Sequence, residues 1–496
     1  MATLQRLTHD EREFIDTVAS IIFSNPFTAN RAAIEAILNQ PIEPTTRSAD
    51  HQFWELLPEV EACLSRLSAR SIVKLQSVHV SDRERLRQVF LFKVYDRYLP
   101  QFDALIRAQS RHGAEPLAAE FGREFLRDLY DYGFDDNDAL SYLALCYQVR
   151  RAYFFIYHTL VGDSKSMQNL RRALWDNVFT SDIRTYRDHL SHRMEDFSTL
   201  LLGETGTGKG SAAAAIGRSG LIPYDPKSGR FKSSFTDTFI TINLSQFSET
   251  LIESELFGHR KGAFTGAIDQ HEGVFQRCSA YGSLFLDEIG EVSVPVQIKL
   301  LNVLQNREFT PVGAHQSKRF SGRVIAATNQ SIKALRRGGR FRDDFFYRLC
   351  SDVIEVPPLR IRIEESPTEL EQLVSLLAQR MVGTPSPELS TQVLEGLRKD
   401  LPRDYAWPGN VRELEQAVRR VVLRGSYQPQ PDTDAADVDW LKRAERGQLT
   451  AQELLACYCQ GLYQQFGTYE EVARRTELDR RTVKKYVESA RTPSAD

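Results

Sequence analysis

The stretch TLLLGETGTGKG, residues 199–210, constrains the fold more tightly than composition does. A short apolar run ends in Gly203, and glycine returns at Gly206, Gly208 and Gly210 around Glu204, Thr205, Thr207 and Lys209. The spacing G-x-x-x-x-G-K lets backbone N–H groups turn inward around phosphate oxygens, while the following helix presents its positive end and Lys209 reaches the outer phosphates. Four further short apolar runs supply partners for such a strand: FITINL at 239–244, SLFLDEI at 283–289, RVIAATN at 323–329 and DVIEV at 352–356. Each ends in small or polar residues, and the chain between them is long enough for helices. This is the rhythm of a parallel sheet with crossover helices, an α/β fold.

The regions on either side follow a different period. Residues 1–160 show helical spacing, as in EFIDTVASIIF, RERLRQVFLFKVYDRYL and ALSYLALCYQVRRAYFFIYHTL, and are expected to form an all-helical domain. They lack the alternating strands and acidic pocket of a phosphoacceptor receiver. Tyr153, Phe154, Phe155 and Tyr157 are expected in its core rather than in a ligand cage. Residues 363–425 are again helical, 426–449 read as a proline-rich acidic linker, and 450–496 hold three short helical patterns. A chain of 496 residues exceeds what one core usually serves, in line with several domains. Its formal charge of −3 names no partner. No apolar run reaches the roughly 18 residues of a membrane span, and the first residues carry no signal core, so a cytoplasmic location without a membrane partner is expected. The six cysteines lack the paired spacing of a zinc site.

The chemistry expected of the cradle needs carboxylates, and SLFLDEI delivers Asp287 and Glu288 side by side at a strand end. Successive strand residues point apart, so Asp287 can hold a magnesium shell while Glu288 faces an attacking water. Gly210 stands where a Ser or Thr magnesium ligand is usual, and Ser211 is out of register, which places more of the metal's hold on Asp287. Asn329, ending the next strand, either orients the water or terminal phosphate or caps a turn. Together these point to a nucleotide hydrolase.

One segment fits neither sheet nor lid. In ELFGHRKGAFTGA, residues 255–267, the six positions Gly262, Ala263, Phe264, Thr265, Gly266 and Ala267 hold little side chain besides one aromatic ring, as expected of a contact tip. With GETGTGKG, ESELFGHRKGAFTGA, GSLFLDEIGEV, VIAATN, FRDDFFYRL, VPPLR and WPGNVRELE in order, residues 161–424 resemble the bacterial enhancer-binding proteins, AAA+ ATPases that activate sigma-54 RNA polymerase. The resemblance implies ATP and Mg2+ as ligands, an α/β ATPase subdomain at 161–362, a helical lid at 363–425, and a tip at 262–267 that touches sigma-54. It implies that Glu288 polarises the water and that Asn243 holds Glu288 away until the tip is engaged. Arg342 and Arg348 become arginine fingers reaching a neighbour's nucleotide in a homo-oligomeric ring, expected to be hexameric when active and dimeric when inactive. Arg412 becomes the lid arginine on the same subunit's nucleotide. The tail resembles the family's helix-turn-helix, with Val472 and Ala473 facing its core and Leu478 in the turn. Arg480, Arg481, Thr482, Lys484 and Lys485 would then face upstream activating DNA. Segments 176–198 and 219–238 look longer than the family usually has. Two other readings stay open, a DNA-binding regulator with a vestigial ATPase and a AAA+ remodelling enzyme without a promoter role.

Overall fold

A computed structural model describes residues 4–28, 31–38, 56–264, 267–429, 444, 447 and 449–489. Thr265 and Gly266 of the tip and most of the expected linker lie outside the described residues. The chain divides into two compact units, residues 1–426 and 427–496.

The first unit begins with helices α1 (His9–Ile22), α2 (Arg31–Leu38), α3 (Leu57–Ala69), α4 (Val80–His112), α5 (Gly122–Asp131), α6 (Asp136–Thr159) and α7 (Lys165–Phe179). Their starts are written locally. Thr8 and Glu11 form a reciprocal cap on α1, Asp135 accepts the Asp138 N–H at α6, and Ser164 accepts that of Met167 at α7. The five apolar runs then form β1 (Thr199–Leu202), β2 (Phe239–Asn243), β3 (Ser283–Asp287), β4 (Arg323–Thr328) and β5 (Asp352–Glu355). All pair in parallel, in the order β2-β3-β4-β1-β5. Helix α8 (Lys209–Gly217) follows the cradle. Helices α9 (Glu249–Phe257), α10 (Val294–Asn306) and α11 (Asp343–Leu349) fill later connections. Helices α12 (Leu359–Glu365), α13 (Glu369–Val382), α14 (Pro387–Asp400) and α15 (Asn410–Arg424) follow, in the region read from the sequence as a lid.

Alternation along the strands sorts their side chains onto two covered faces. Leu200, Leu284, Leu286, Val324 and Ala326 pack with Leu300 of α10 and Phe345 of α11. Leu201, Phe285, Ile325, Ala327 and Ile354 join a core that continues through Ile216 of α8 to Phe155, Leu143, Phe102, Phe90 and Ile15 of the amino-terminal helices. The expected boundary near residue 160 is therefore not a boundary in the core. Helical periodicity in residues 1–160 was a sound guide to the elements, but it carries no mark of which face meets a sheet. Tyr153 and Phe155 are buried, and Phe154 and Tyr157 pack against the same core. The segments 176–198 and 219–238 lie at this junction, the second carrying a small antiparallel pair, Tyr224–Asp225 with Arg230–Phe231.

A buried ion pair fixes the lid's first helices to the end of the helical region. Arg362 Nε donates to Glu369 Oε1 at 2.6 Å, and Glu369 Oε2 accepts the backbone N–H groups of Asp163 and Ser164 at 2.9 and 3.2 Å. Every oxygen of that carboxylate is thus used, which is the condition under which a buried charge is tolerated.

The second unit holds α16 (Ala451–Phe466), α17 (Tyr469–Thr476) and α18 (Arg480–Ser489) around Cys459, Val472, Val483 and Val487. Ala473 and Leu478 pack at its edge. Arg480, Arg481, Lys484 and Lys485 are exposed and Thr482 is half-buried. No described helix in either unit is long and apolar enough to cross a membrane.

Candidate nucleotide site and contact tip

The cradle leaves β1 at Leu202 and enters α8 at Lys209. Its shape depends on close approach to the lid. Gly206 has φ 80°, and a Cβ there would stand 2.3 Å from the Gly409 carbonyl oxygen and 3.0 Å from Arg412 Cβ. No other residue fits both constraints. Asn410, buried and itself at φ 52°, completes the joint: its Nδ2 donates to the Thr205 carbonyl at 3.0 Å and to Glu204 Oε2 at 3.2 Å, and its Oδ1 accepts the Leu359 N–H at 2.8 Å. The Val411 N–H donates to the Gly206 carbonyl at 3.0 Å. Arg360 closes a two-bonded ion pair on Glu204, at 2.6 and 2.8 Å.

Lys209 is only 6% exposed and donates to the cradle's own carbonyls, Gly203 at 2.8 Å and Glu204 at 3.0 Å. Burial lowers its pKa, and Glu288 and Asp287 work against that shift. Their charges therefore act on the ammonium. Asp287 ends β3, and its Oδ1 accepts the Glu288 N–H at 3.1 Å. Glu288 sits in the left-handed region at φ 56°, an unfavoured conformation for a side-chain residue and one concentrated at functional sites. Burial raises its carboxyl pKa, and the charge of Asp287 adds to this. Lys209 and the Asn329 backbone N–H pull the other way. Its Oε2 is buried and has no hydrogen-bond partner among the described residues, so an acceptor stands ready beside the cradle. Asn329 Nδ2 donates to Thr205 Oγ1 at 2.8 Å, tying the end of β4 to the cradle.

Thus Lys209, Asp287, Glu288, Asn329 and Arg412 converge. Among the described residues Asn243 shows no hydrogen bond to Glu288. It pairs in register with Asp287, but its Oδ1 accepts the Ser245 N–H at 3.0 Å and its hydroxyl at 2.8 Å, because a strand-ending asparagine satisfies the next turn first. Arg342 is exposed and paired with Asp344 at 2.7 Å, and Arg348 Nε donates to the Leu304 carbonyl at 3.0 Å. Among the described residues neither bonds to the cradle of its own chain. Asn410 and Arg360 were missed as site residues. Both stand inside the motifs WPGNVRELE and VPPLR, but nothing in their spacing predicts a contact more than 150 residues away.

The tip is rooted by backbone bonds. His259 and His271 exchange N–H to carbonyl bonds at 3.0 Å, the Arg260 N–H donates to Val312, and the Gly262 N–H donates to Ala267 at 2.8 Å. The Phe264 ring is 39% exposed and touches one ring, His259, edge-on at 4.9 Å.

Residues 180–355 match the family described as the sigma-54 interaction domain. The regulatory protein AtoC of Escherichia coli (strain K12) is 37% identical over 272 residues, covering 53% of this chain and 54% of that one. The transcriptional regulator NtrC of Azospirillum brasilense is 37% identical over 262 residues, covering 53% and 47%. The Nif-specific regulatory protein of Azotobacter vinelandii is 42% identical over 226 residues, covering 46% and 40%. The chain spans about half the length of these curated relatives. The family match opens ahead of the cradle, takes in the tip and closes on the last residue of β5, so residues 180–355 carry a sigma-54 interaction domain.

Proposed function

We propose that this protein activates transcription by sigma-54 RNA polymerase, using ATP hydrolysis in a hexameric ring to move residues 262–267 against the sigma factor. The observation that carries this reading is that one stretch of chain matching the family holds both a phosphate cradle beside two carboxylates and a displayed aromatic tip.

The residues present fit a magnesium nucleotide. The cradle's N–H groups and Lys209 would take the phosphates, Asp287 would hold the metal, and Gly210 adds no hydroxyl to its shell. The metal would neutralise charge on the outer phosphate oxygens. Glu288, whose Oε2 is unclaimed, accepts a proton from the attacking water, and Asn329 orients that water from the end of β4. Arg412 reaches the nucleotide from the lid. Arg342 and Arg348 are assigned to the nucleotide of the next subunit, where guanidinium groups stay charged and bridge phosphate oxygens. The second unit is read as a helix-turn-helix whose α18 enters the major groove, Arg480, Arg481, Thr482, Lys484 and Lys485 meeting DNA.

Phe264→Ala tests the reading. ATP turnover should stay within about twofold of the parent, since the cradle is untouched, while open-complex formation at a sigma-54 promoter should be lost, as happens when a small interface loses its aromatic anchor. Normal open complexes from the variant would remove the tip from the output, and equal loss of both activities would make it a structural prop.

A further inference from the structure

A cavity of about 330 Å³ lies where the amino-terminal helices, the segment after α7 and the first residues of β3 and β4 meet, at the low end of the roughly 300–1,000 Å³ typical of ligand pockets. Its walls are unevenly charged. Arg323, Arg319 and His192 line it against one acid, Glu195, which pairs loosely with Arg319 at 4.0 Å. Arg323 is buried, and its Nε and Nη2 donate to neutral acceptors, the carbonyls of Phe197 and Asn177, the Asn177 amide oxygen and Thr199 Oγ1. Among the described residues it has no carboxylate within ion-pair distance. Burial draws its pKa down to about 10, which leaves it charged at neutral pH. A second buried guanidinium, Arg151, stands behind the cavity wall, donating to the Arg218 and Gly220 carbonyls at 2.7 and 2.6 Å, with its Nε unpartnered. Asp352 acts on Arg323 from beyond Asn177, whose Nδ2 donates to it at 2.6 Å, but a buried cation with no directly paired carboxylate is costly, and an anion in the adjoining space offsets that cost.

We propose that this cavity binds a small organic or inorganic anion bearing a carboxylate or phosphate group, with Arg323 at its back and Arg319 and His192 at its mouth. The occupant would lie against Gln148 and Tyr186, which bond to each other at 2.7 Å, and Gln148 also donates to the Ser219 carbonyl at 2.8 Å. Ser219 and Arg218 directly follow α8, the helix that begins at Lys209, so Gln148 and Arg151 of α6 grip its far end. Occupancy therefore biases the position of the cradle helix. This regulatory half rests on the ATPase reading above, whereas the binding half does not.

Calorimetric titration of the full chain carrying Lys209→Ala, which disables the cradle as a competing anion site, with inorganic phosphate and separately with succinate, tests the binding. Saturable binding of at least one probe is expected, falling at least tenfold when His192→Glu and Arg319→Glu reverse the charge at the exposed mouth. The arm that binds tells phosphate from carboxylate. No saturable binding of either probe, or binding indifferent to the reversed charges, overturns the site. In the otherwise unaltered chain, the bound probe should change ATP turnover at least twofold, an effect absent from the double variant. Binding without that change would overturn the coupling to α8.

Discussion

Gly206 in the cradle and Gly262 at the root of the tip hold nearly the same backbone angle, φ 80° and 78°, yet a Cβ at Gly206 would strike the Gly409 carbonyl oxygen, and one at Gly262 would meet nothing within 4 Å. The two loops are alike in composition, both dominated by glycine, threonine and alanine-sized side chains. Their surroundings differ. The cradle is clamped by Asn410, Arg360 and Asn329, while the described part of the tip has backbone bonds at its base and one ring contact. Glycine serves close approach in the first and freedom of movement in the second. The proposed function needs both, a fixed seat for chemistry and a limb that can be displaced by it.

The comparison can be broken at its chemical end first. Glu288→Gln should lower ATP turnover by about 10²–10⁴-fold with nucleotide binding kept, because the amide fills the same space but cannot take the water's proton. Radiolabelled phosphate release beside nucleotide affinity would show it, and equal turnover would move the water-activating role elsewhere. Alanine at the two glycines is a finer probe. Gly206→Ala should cost roughly 2 kcal/mol or more, through the clash with Gly409 and the positive φ, and should weaken nucleotide binding. Gly262→Ala carries only the strain of its φ, about 1 kcal/mol, and should leave hydrolysis alone. Melting temperatures of both variants would decide whether the contrast in packing is real. The smallest effect concerns pH. Glu288 must be ionised to act, and its pKa lies above the ordinary carboxylate value through burial and Asp287, so turnover should begin to fall at a higher pH than an unperturbed glutamate would allow. Asp287→Asn should move that acid limb downward, measured on whatever activity the variant keeps.

All five strands were legible because each is a short apolar run ending beside a turn, and parallel strands covered on both faces have little other way to be written. The cradle and carboxylates were legible for a similar reason, their chemistry residing in local spacing. What stayed hidden was relational. Asn410 and Glu204 are 206 positions apart, and no local spacing predicts their contact. Leu143 and Phe155 read as the inside of a bundle, and they are, but the same inside extends to Leu201 and Ile354 on the sheet.

That shared interior bears on how such a chain can be inherited. A sensory region joined by a linker can be lost, duplicated or replaced by recombination while the motor it governs persists. Here the helices of the first 160 residues share one apolar core with α8, which lies on β1, β3 and β4, and with α7, which lies on β5, and each Leu, Ile or Phe left bare costs about 1.5–3 kcal/mol. A crossover near residue 160 would strip apolar cover from α7 and α8, the two helices that lie on the sheet, so the region ahead of it is not exchanged without cost to the region behind.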